Sequence, residues 1–314
     1  MKLSIIAPLY NEEKNIKPLL REIREVMQKN GFSYEIITIN DGSKDGSFRE
    51  LLSVAEKDEK IKIIDFAFNT GQTAALSAGI EAATGDIIIP IDSDLENDPN
   101  DIPLLVKKLE EGYDVVSGWR KDRWKGEYMT RKLPSVVANK IISSVAGLYL
   151  HDYGCTLKAY RREIISDVHL YGEMHRFILA YAFWKGARVT EIPVSYRARI
   201  YGESKYGFSR TFKVLLDLVV MKFLHKYMNK PMHFFGGVGF LFFTMGVFVG
   251  VWAMVLKFVY GVSFISTPLP VLCVFLLLVG VQLIALGVVA EILMRTYYES
   301  QGKKPYTVKR TVNL

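Results

Sequence analysis

Over roughly the first 110 positions, apolar residues come in short runs separated by longer helical stretches. Leu3–Pro8, Glu35–Asn40, Ile61–Phe66 and Asp86–Ile91 are brief, rich in isoleucine and flanked by polar turn residues, so they predict buried strands. Between them, Glu12–Lys29, Ser47–Lys57 and Gln72–Ala83 read as helices. Strand and helix alternating in this way predict an α/β domain built on a mostly parallel, Rossmann-like sheet with helices on both faces. Ligands of such sheets bind beyond the carboxyl ends of the strands, which is where chemistry is expected.

Farther along, the pattern changes character. Residues 234–256 and 267–290 contain no Asp, Glu, Lys, Arg or His, giving uninterrupted runs of 23 and 24 residues. As helices each would extend about 35 Å, enough for the ~30 Å hydrocarbon core of a bilayer. Two in succession near the C-terminus leave little chain to cover them, so spans are expected rather than buried core helices. Upstream, Phe208–Lys226 sets Arg210, Lys213, Lys222 and Lys226 against an apolar remainder, the pattern of an interfacial helix or of an ordinary domain helix. The expected organisation is an α/β domain at 1–206, an amphipathic juxtamembrane helix at 207–231, and two transmembrane helices within 232–296 (about 234–258 and 267–290). A basic tail at 297–314 follows.

Charge then orients the spans. Arg210, Lys213, Lys222, Lys226 and Lys230 precede the first, and Arg295, Lys303, Lys304, Lys309 and Arg310 follow the second, whereas the connector holds only Lys257. Basic residues favour the cytoplasmic side, so both ends and the large domain are expected in the cytosol, on a multi-pass protein of the cytoplasmic membrane. The start, Met1-Lys2-Leu3-Ser4, turns polar too quickly for a signal peptide. Half of the residues are hydrophobic, and the net charge is +7. That balance suits anionic substrates and an anionic membrane surface; no nucleic-acid module or dense basic tract is present, so no nucleic-acid partner is expected. The two cysteines, Cys155 and Cys273, form no metal-ligand spacing and no disulfide framework.

Polar residues collect where the predicted strands end. Pro8-Leu9-Tyr10-Asn11-Glu12 follows the first, Asn40-Asp41-Gly42-Ser43 the second and Asp92-Ser93-Asp94-Leu95-Glu96 the fourth. Neither GxGxxG nor GxxxxGK[ST] occurs, which removes support for a dinucleotide oxidoreductase or a P-loop NTPase. Asp92 and Asp94, one residue apart after a buried strand, can share a hard divalent cation or divide cation and ribose contacts. A cation there would stabilise the charge on a departing nucleoside diphosphate. Taken alone the pair is also what an ordinary acidic turn looks like. No Ser/His/Asp or Cys/His set is apparent, in keeping with a single displacement.

Together, Ile6-Ala7-Pro8-Leu9-Tyr10-Asn11-Glu12, Asn40-Asp41-Gly42-Ser43 and Asp92-Ser93-Asp94-Leu95 resemble the family 2 glycosyltransferases of GT-A fold. Asp152-Tyr153-Gly154-Cys155 through Arg161-Arg162, and Gly202-Glu203-Ser204-Lys205-Tyr206, narrow the resemblance to the polyprenyl-phosphate glycosyltransferases: dolichol-phosphate mannose synthases, bactoprenol glucosyltransferases and undecaprenyl-phosphate formamidoarabinose transferases. It covers essentially the whole chain. It implies inverting transfer of one sugar from a nucleotide-sugar, UDP- or GDP-linked, to a polyprenyl phosphate, with Mg²⁺ or Mn²⁺, and allows a homo-oligomer. By the same resemblance Pro8, Tyr10, Glu12, Asp41 and Asp92 hold the nucleotide, Asp41 accepting from the base and Glu12 meeting the ribose. Asp92, Asp94 and Glu96 surround the metal, although many members carry Gln where this chain has Glu96.

A phosphate monoester acceptor is already anionic, so it needs cations to position it rather than a strong base. Arg120, Arg131, Lys132, Arg197, Arg199 and Lys205 are candidates, with Ser135 one helical turn after Arg131. Of these, Arg120, Arg131 and Lys205 stand with Asp94 as the expected catalytic set, and Gly202 would let the Lys205 loop move. His175 and Arg176 can reach sugar hydroxyls, or serve structure alone. Two rival functions stay open. A processive polysaccharide synthase would carry QxxRW, which none of the glutamines at 28, 72, 282 and 301 begins. A non-catalytic nucleotide-sugar-binding membrane protein would have no use for both a metal and an acceptor set.

Overall fold

The computed structural model describes residues 1–121, 123, 133–166, 177–197, 231–299 and 308–312. The chain forms two compact units, Met1–Asp217 with Lys304–Leu314, and Leu218–Lys303. The expected strands and helices of the first unit are present as β1 (Lys2–Leu9), α1 (Glu13–Lys29), β2 (Ser33–Asn40), α2 (Ser47–Ala55), β3 (Ile61–Phe66), α3 (Gln72–Ala82) and β4 (Ile87–Pro90). Then follow α4 (Ile102–Glu110), β5 (Val115–Trp119), α5 (Leu133–Ala146), β6 (Lys158–Arg161), α6 (Arg162–Ile165), α7 (Ile178–Trp184) and β7 (Val189–Pro193).

One sheet organises the unit, in the order β7-β5-β6-β4-β1-β2-β3-β8, with β8 at Val308–Val312. The pairs β1–β2, β1–β4, β2–β3 and β5–β7 are parallel, while β6 runs antiparallel to both β4 and β5. The first four strands read as unbroken apolar runs because both faces are covered. Leu3, Ile5, Ile36, Ile63 and Ile89 join a core with Ile16, Leu19 and Ile23 of α1, Leu51 of α2 and Leu105 of α4. Ile6, Ile37, Ile39 and Ile88 are equally buried without belonging to that core. Removing an isoleucine side chain from water contributes about 1.5–3 kcal/mol, so a sheet lined this way on both sides sets its own register.

Glu35 is a charged exception inside β2. Its carboxylate accepts from Ser4 Oγ (2.5 Å), the Thr84 N–H (2.7 Å) and the ammonium groups of Lys2 and Lys62 (both 3.0 Å). Burial works against the charge, yet these donors outweigh it and bring the carboxyl down to about 2. The cluster lies at the amino ends of the strands, away from the loops of interest.

In the second unit α8 (Pro231–Tyr260) and α9 (Leu269–Glu299) form an apolar pair. Phe234–Tyr260 and Leu269–Ala290, with mean hydropathies of 2.2 and 2.8, are long and apolar enough to cross a membrane. Glycines set how near the helices come. A Cβ on Gly239 would lie 2.7 Å from the Gly280 carbonyl oxygen, and one on Gly280 2.8 Å from that of Gly239. Such backbone-to-backbone approach is how apolar helices associate where no hydrophobic drive exists between them. The expected amphipathic helix at 207–230 lies outside the described residues.

Candidate active site

Three strand-end loops meet at the carboxyl edge of β1, β2 and β4, stitched to one another by short polar side chains. The Asn11 N–H donates to Ser43 Oγ (2.9 Å) while Asn11 Oδ1 accepts from the Lys44 N–H (2.8 Å). The Glu12 N–H donates to Ser47 Oγ (3.0 Å), and Ser93 Oγ donates to the Pro8 carbonyl (2.8 Å). Asn11 (φ 54°) and Leu95 (φ 63°) both adopt left-handed backbone on these loops, a conformation costly for side-chain-bearing residues and typical of functional sites. Gly42 (φ 65°) is required as glycine, since a Cβ would sit 2.4 Å from the Phe68 carbonyl carbon.

A cavity of about 420 Å³ opens beside β2 and β3, walled by Tyr10, Gly42, Ser43, Phe48, Asp65, Phe66, Phe68 and Asn69 among others. Aromatic rings with a few polar groups suit a flat heterocycle with a polar rim. Asp41, buried next to this wall, acts on the loop behind it. Its carboxylate accepts from the Thr70 N–H (2.7 Å), Asn69 Nδ2 (2.8 Å) and the Gly71 N–H (2.9 Å). Burial raises its pKa, partly offset by those backbone donors. Glu12 is held by Asn15, whose Nδ2 donates to Oε2 at 2.6 Å.

The paired carboxylates come next. Asp92 accepts from Gln72 Nε2 (2.9 Å) at one oxygen and from Thr156 Oγ1 (2.5 Å) at the other. Desolvation and then the charge of Asp94 raise its carboxyl to about 6. Asp94, 9% exposed, accepts the Glu96 N–H (3.1 Å). Glu96 reaches Arg123 at 3.9 Å. Among the described residues no three His, Cys, Asp or Glu side chains form a metal cluster. The donors that are present, two crowded carboxylates of hard oxygen, fit a divalent cation that takes its remaining ligands from a diphosphate and water.

Beneath them lies a buried ion pair. Arg120 Nε and Nη2 donate to the two oxygens of Asp152 at 2.8 and 3.0 Å. Burial disfavours both charges, but the bidentate pairing holds Arg120 protonated and Asp152 ionised. Arg197 also has partners, Glu22 at 2.7 Å and Asp98 at 2.6 Å, and its N–H donates to the Glu96 carbonyl (3.0 Å). Arg131, Lys132, Arg199, Lys205, His175 and Arg176 lie outside the described residues, as does the side chain of Ser135, whose backbone is in the first turn of α5.

Gln72 and Thr156 are additions that sequence reasoning missed. They are uncharged and stand 20 and 64 residues from Asp92, so only the fold brings them to it. The available signal for Thr156 was its place directly after the Asp152–Cys155 motif.

Residues 4–168 match the family described as "Glycosyl transferase family 2". The chain is 40% identical to a dodecaprenyl-phosphate galacturonate synthase of Rhizobium johnstonii, over 99% of this chain and 93% of that protein. It is 34% identical to an undecaprenyl-phosphate 4-deoxy-4-formamido-L-arabinose transferase of Klebsiella pneumoniae, over 99% and 94%. Among solved structures, glucosyl-3-phosphoglycerate synthase from Mycobacterium tuberculosis, in complex with Mn²⁺, UDP and phosphoglyceric acid, superposes with a TM-score of 0.57 at 17% identity, covering 71% of this chain and 78% of that one. That likeness shows the fold, a GT-A-like α/β domain. The chain belongs to glycosyl transferase family 2.

Proposed function

We propose that the protein transfers one sugar from a nucleotide-sugar to a polyprenyl phosphate at the cytoplasmic face of a membrane. The observation that carries this reading is similarity over 99% of the chain, apolar helices included, to two relatives named for polyprenyl-phosphate sugar chemistry. The geometry agrees: a cavity fit for a nucleobase and the half-buried Asp92 with the buried Asp94, fit for a diphosphate-bound cation, both lie at the carboxyl edge of the sheet.

In this reading the nucleobase enters the cavity against Tyr10 and Phe48, with the ribose toward Glu12. Asp41 keeps the 69–71 loop in place behind the base. Asp92 and Asp94 would hold Mg²⁺ or Mn²⁺, which supplies charge neutralisation for the diphosphate. An oxygen of the acceptor phosphate attacks the anomeric carbon as the bond to the diphosphate breaks and its electron pair leaves with the diphosphate oxygen. The configuration inverts, and no proton needs to be removed. Arg131, Lys132, Ser135, Arg199 and Lys205 are assigned to the acceptor phosphate. Arg120 and Arg197, engaged by carboxylates of their own, act as posts for the loops around it.

Membrane sidedness has support from the sheet. β8 pairs antiparallel with β3, so the chain after α9 returns to the side that holds the catalytic domain. An even number of crossings satisfies that, and the basic flanks make that side cytoplasmic.

The test is transfer from radiolabelled UDP- and GDP-sugars, hexuronates included, to dodecaprenyl and undecaprenyl phosphate, with Mg²⁺ or Mn²⁺ in detergent. Label from one donor is expected in the extracted lipid. Folded protein that binds nucleotide but moves no label from any donor would overturn catalysis in favour of a binding protein.

A further inference from the structure

One deeply buried cation of the catalytic unit has no place in the reaction above. Lys158, on β6 between β4 and β5, is 5% exposed, and burial lowers its pKa. Placing an ammonium group there is costly unless its donors are used. They are used on backbone: Nζ donates to the carbonyl oxygens of Tyr153 (3.3 Å) and Cys155. Both belong to the turn that carries Asp152 at one end and Thr156 at the other.

That turn is fastened at several further points. Asp152 Oδ1 accepts the Gly154 N–H (3.0 Å) while gripping Arg120, and the Tyr153 hydroxyl donates to the Leu148 carbonyl (2.5 Å). Its outgoing end presents the Thr156 hydroxyl to Asp92 at 2.5 Å. Arg120 and Lys158 each feel the charges of Asp152 and Asp92. A methionine of similar length would fill the space without burying a charge. What the ammonium adds is a fixed grip on two carbonyls.

We propose that Lys158 is a positioning residue: by clamping the 152–156 turn it sets the Thr156 hydrogen bond that orients Asp92 toward the cation and diphosphate. This rests on the reading of Asp92 and Asp94 as the cation site. Residues that orient a metal ligand typically govern 10–100-fold in metal affinity.

The full-length protein in detergent tests it through Lys158→Met, Lys158→Arg, Lys158→Gln, Thr156→Val and the Lys158→Met/Thr156→Val pair. The readout is Mn²⁺-dependent binding of UDP or GDP, whichever the wild type takes, measured by calorimetry. Lys158→Met and Thr156→Val should each weaken that binding about tenfold, the double variant should be no weaker than either, and Lys158→Arg should recover part of the loss. In metal-free protein, amide exchange over residues 152–157 should rise in Lys158→Met and stay unchanged in Thr156→Val. If Lys158→Met does not fold, Lys158→Gln, which can reach one carbonyl, replaces it in the same cycle. Multiplying losses, about a hundredfold in the double variant, would overturn the coupling, as would unchanged Mn²⁺-dependent affinity in folded Lys158→Met, or in Lys158→Gln where it stands in. Wild-type protein without any Mn²⁺-dependent nucleotide binding would overturn the cation-site reading itself, and the inference with it.

Discussion

Asp94, 9% exposed, stands one residue beyond Asp92, whose carboxyl burial and the charge of Asp94 push up to about 6. Asp94→Asn keeps the shape and the hydrogen bond to Glu96 but removes that charge. Transfer should fall on the order of 10³-fold or more, with the thermal midpoint unchanged or slightly raised; near-normal turnover would remove Asp94 from the site. Glu35 makes the contrasting case. Its carboxyl is lowered in the folded protein, so the stability it contributes is complete above its unfolded value of 4.5 and is lost as pH falls toward about 2. Glu35→Gln should cost about 2–3 kcal/mol at pH 7, and the gap to wild type should narrow steadily below pH 5 in denaturant titrations; a constant gap would mean that shape, not charge, is what Glu35 provides. At this scale the sequence was legible where a charged residue follows a buried strand, as with Asp92 and Asp94. It was silent on partners. Arg120 and Arg197 look like free phosphate-binding cations in sequence, yet carboxylates 32 residues away for one and 175 for the other engage them in the fold.

Elements read well when both faces are buried, because period and composition then agree. β1 through β4 and the helices between them lie within a few residues of where the apolar runs place them. β8 gave no such signal: Val308-Lys-Arg-Thr-Val312 is five residues long and mostly polar, and its partner strand lies some 245 residues earlier. It nevertheless covers an edge that would otherwise expose unpaired N–H and C=O groups, and its pairing shifts register between Asp65 and Phe66, two walls of the cavity. Deleting residues 305–314 should therefore lower the thermal midpoint and weaken nucleotide binding severalfold, both seen by calorimetry; unchanged binding would confine β8 to edge protection. The helix pair offers a test with an internal control. On α9, Gly280→Leu would drive a side chain into the Gly239 and Phe243 backbone, whereas on α8 Gly237→Leu meets nothing within 4 Å. Overpacking of the first kind typically costs 1–3 kcal/mol, so Gly280→Leu should unfold at lower temperature in detergent while Gly237→Leu matches wild type. Equal midpoints would mean that the two helices do not hold this close packing.

For the molecule as a whole, the chain's path constrains its topology more firmly than hydropathy does. Length and lack of charge say only that α8 and α9 can cross a membrane. The pairing of β8 with β3 adds that whatever lies between residues 217 and 304 must leave and return, because strands of one sheet cannot lie on opposite sides of a bilayer. If both helices cross, as proposed, the α8–α9 connector lies on the far side, with its turn at Phe264–Ser266 and the Phe264 ring 4.1 Å from Lys257 near the end of α8. On the proposed topology the charge bias would assign that far side to the exterior and the active site to the cytoplasm. Single-cysteine labelling decides it. In a background with Cys273→Ser, and with Cys155 buried and its thiol pushed up to about 11, three substitutions are compared: Lys57→Cys on the catalytic domain, Ser263→Cys in the connector and Ser300→Cys after α9. A membrane-impermeant maleimide should reach position 263 in intact cells and positions 57 and 300 only after permeabilisation. Positions 57 and 300 on opposite sides would break the β3–β8 pairing within one chain. All three on one side would return α8 and α9 to the status of apolar helices that do not span. The reverse pattern, with 57 and 300 labelled from outside, would keep the hairpin and refute the cytoplasmic site.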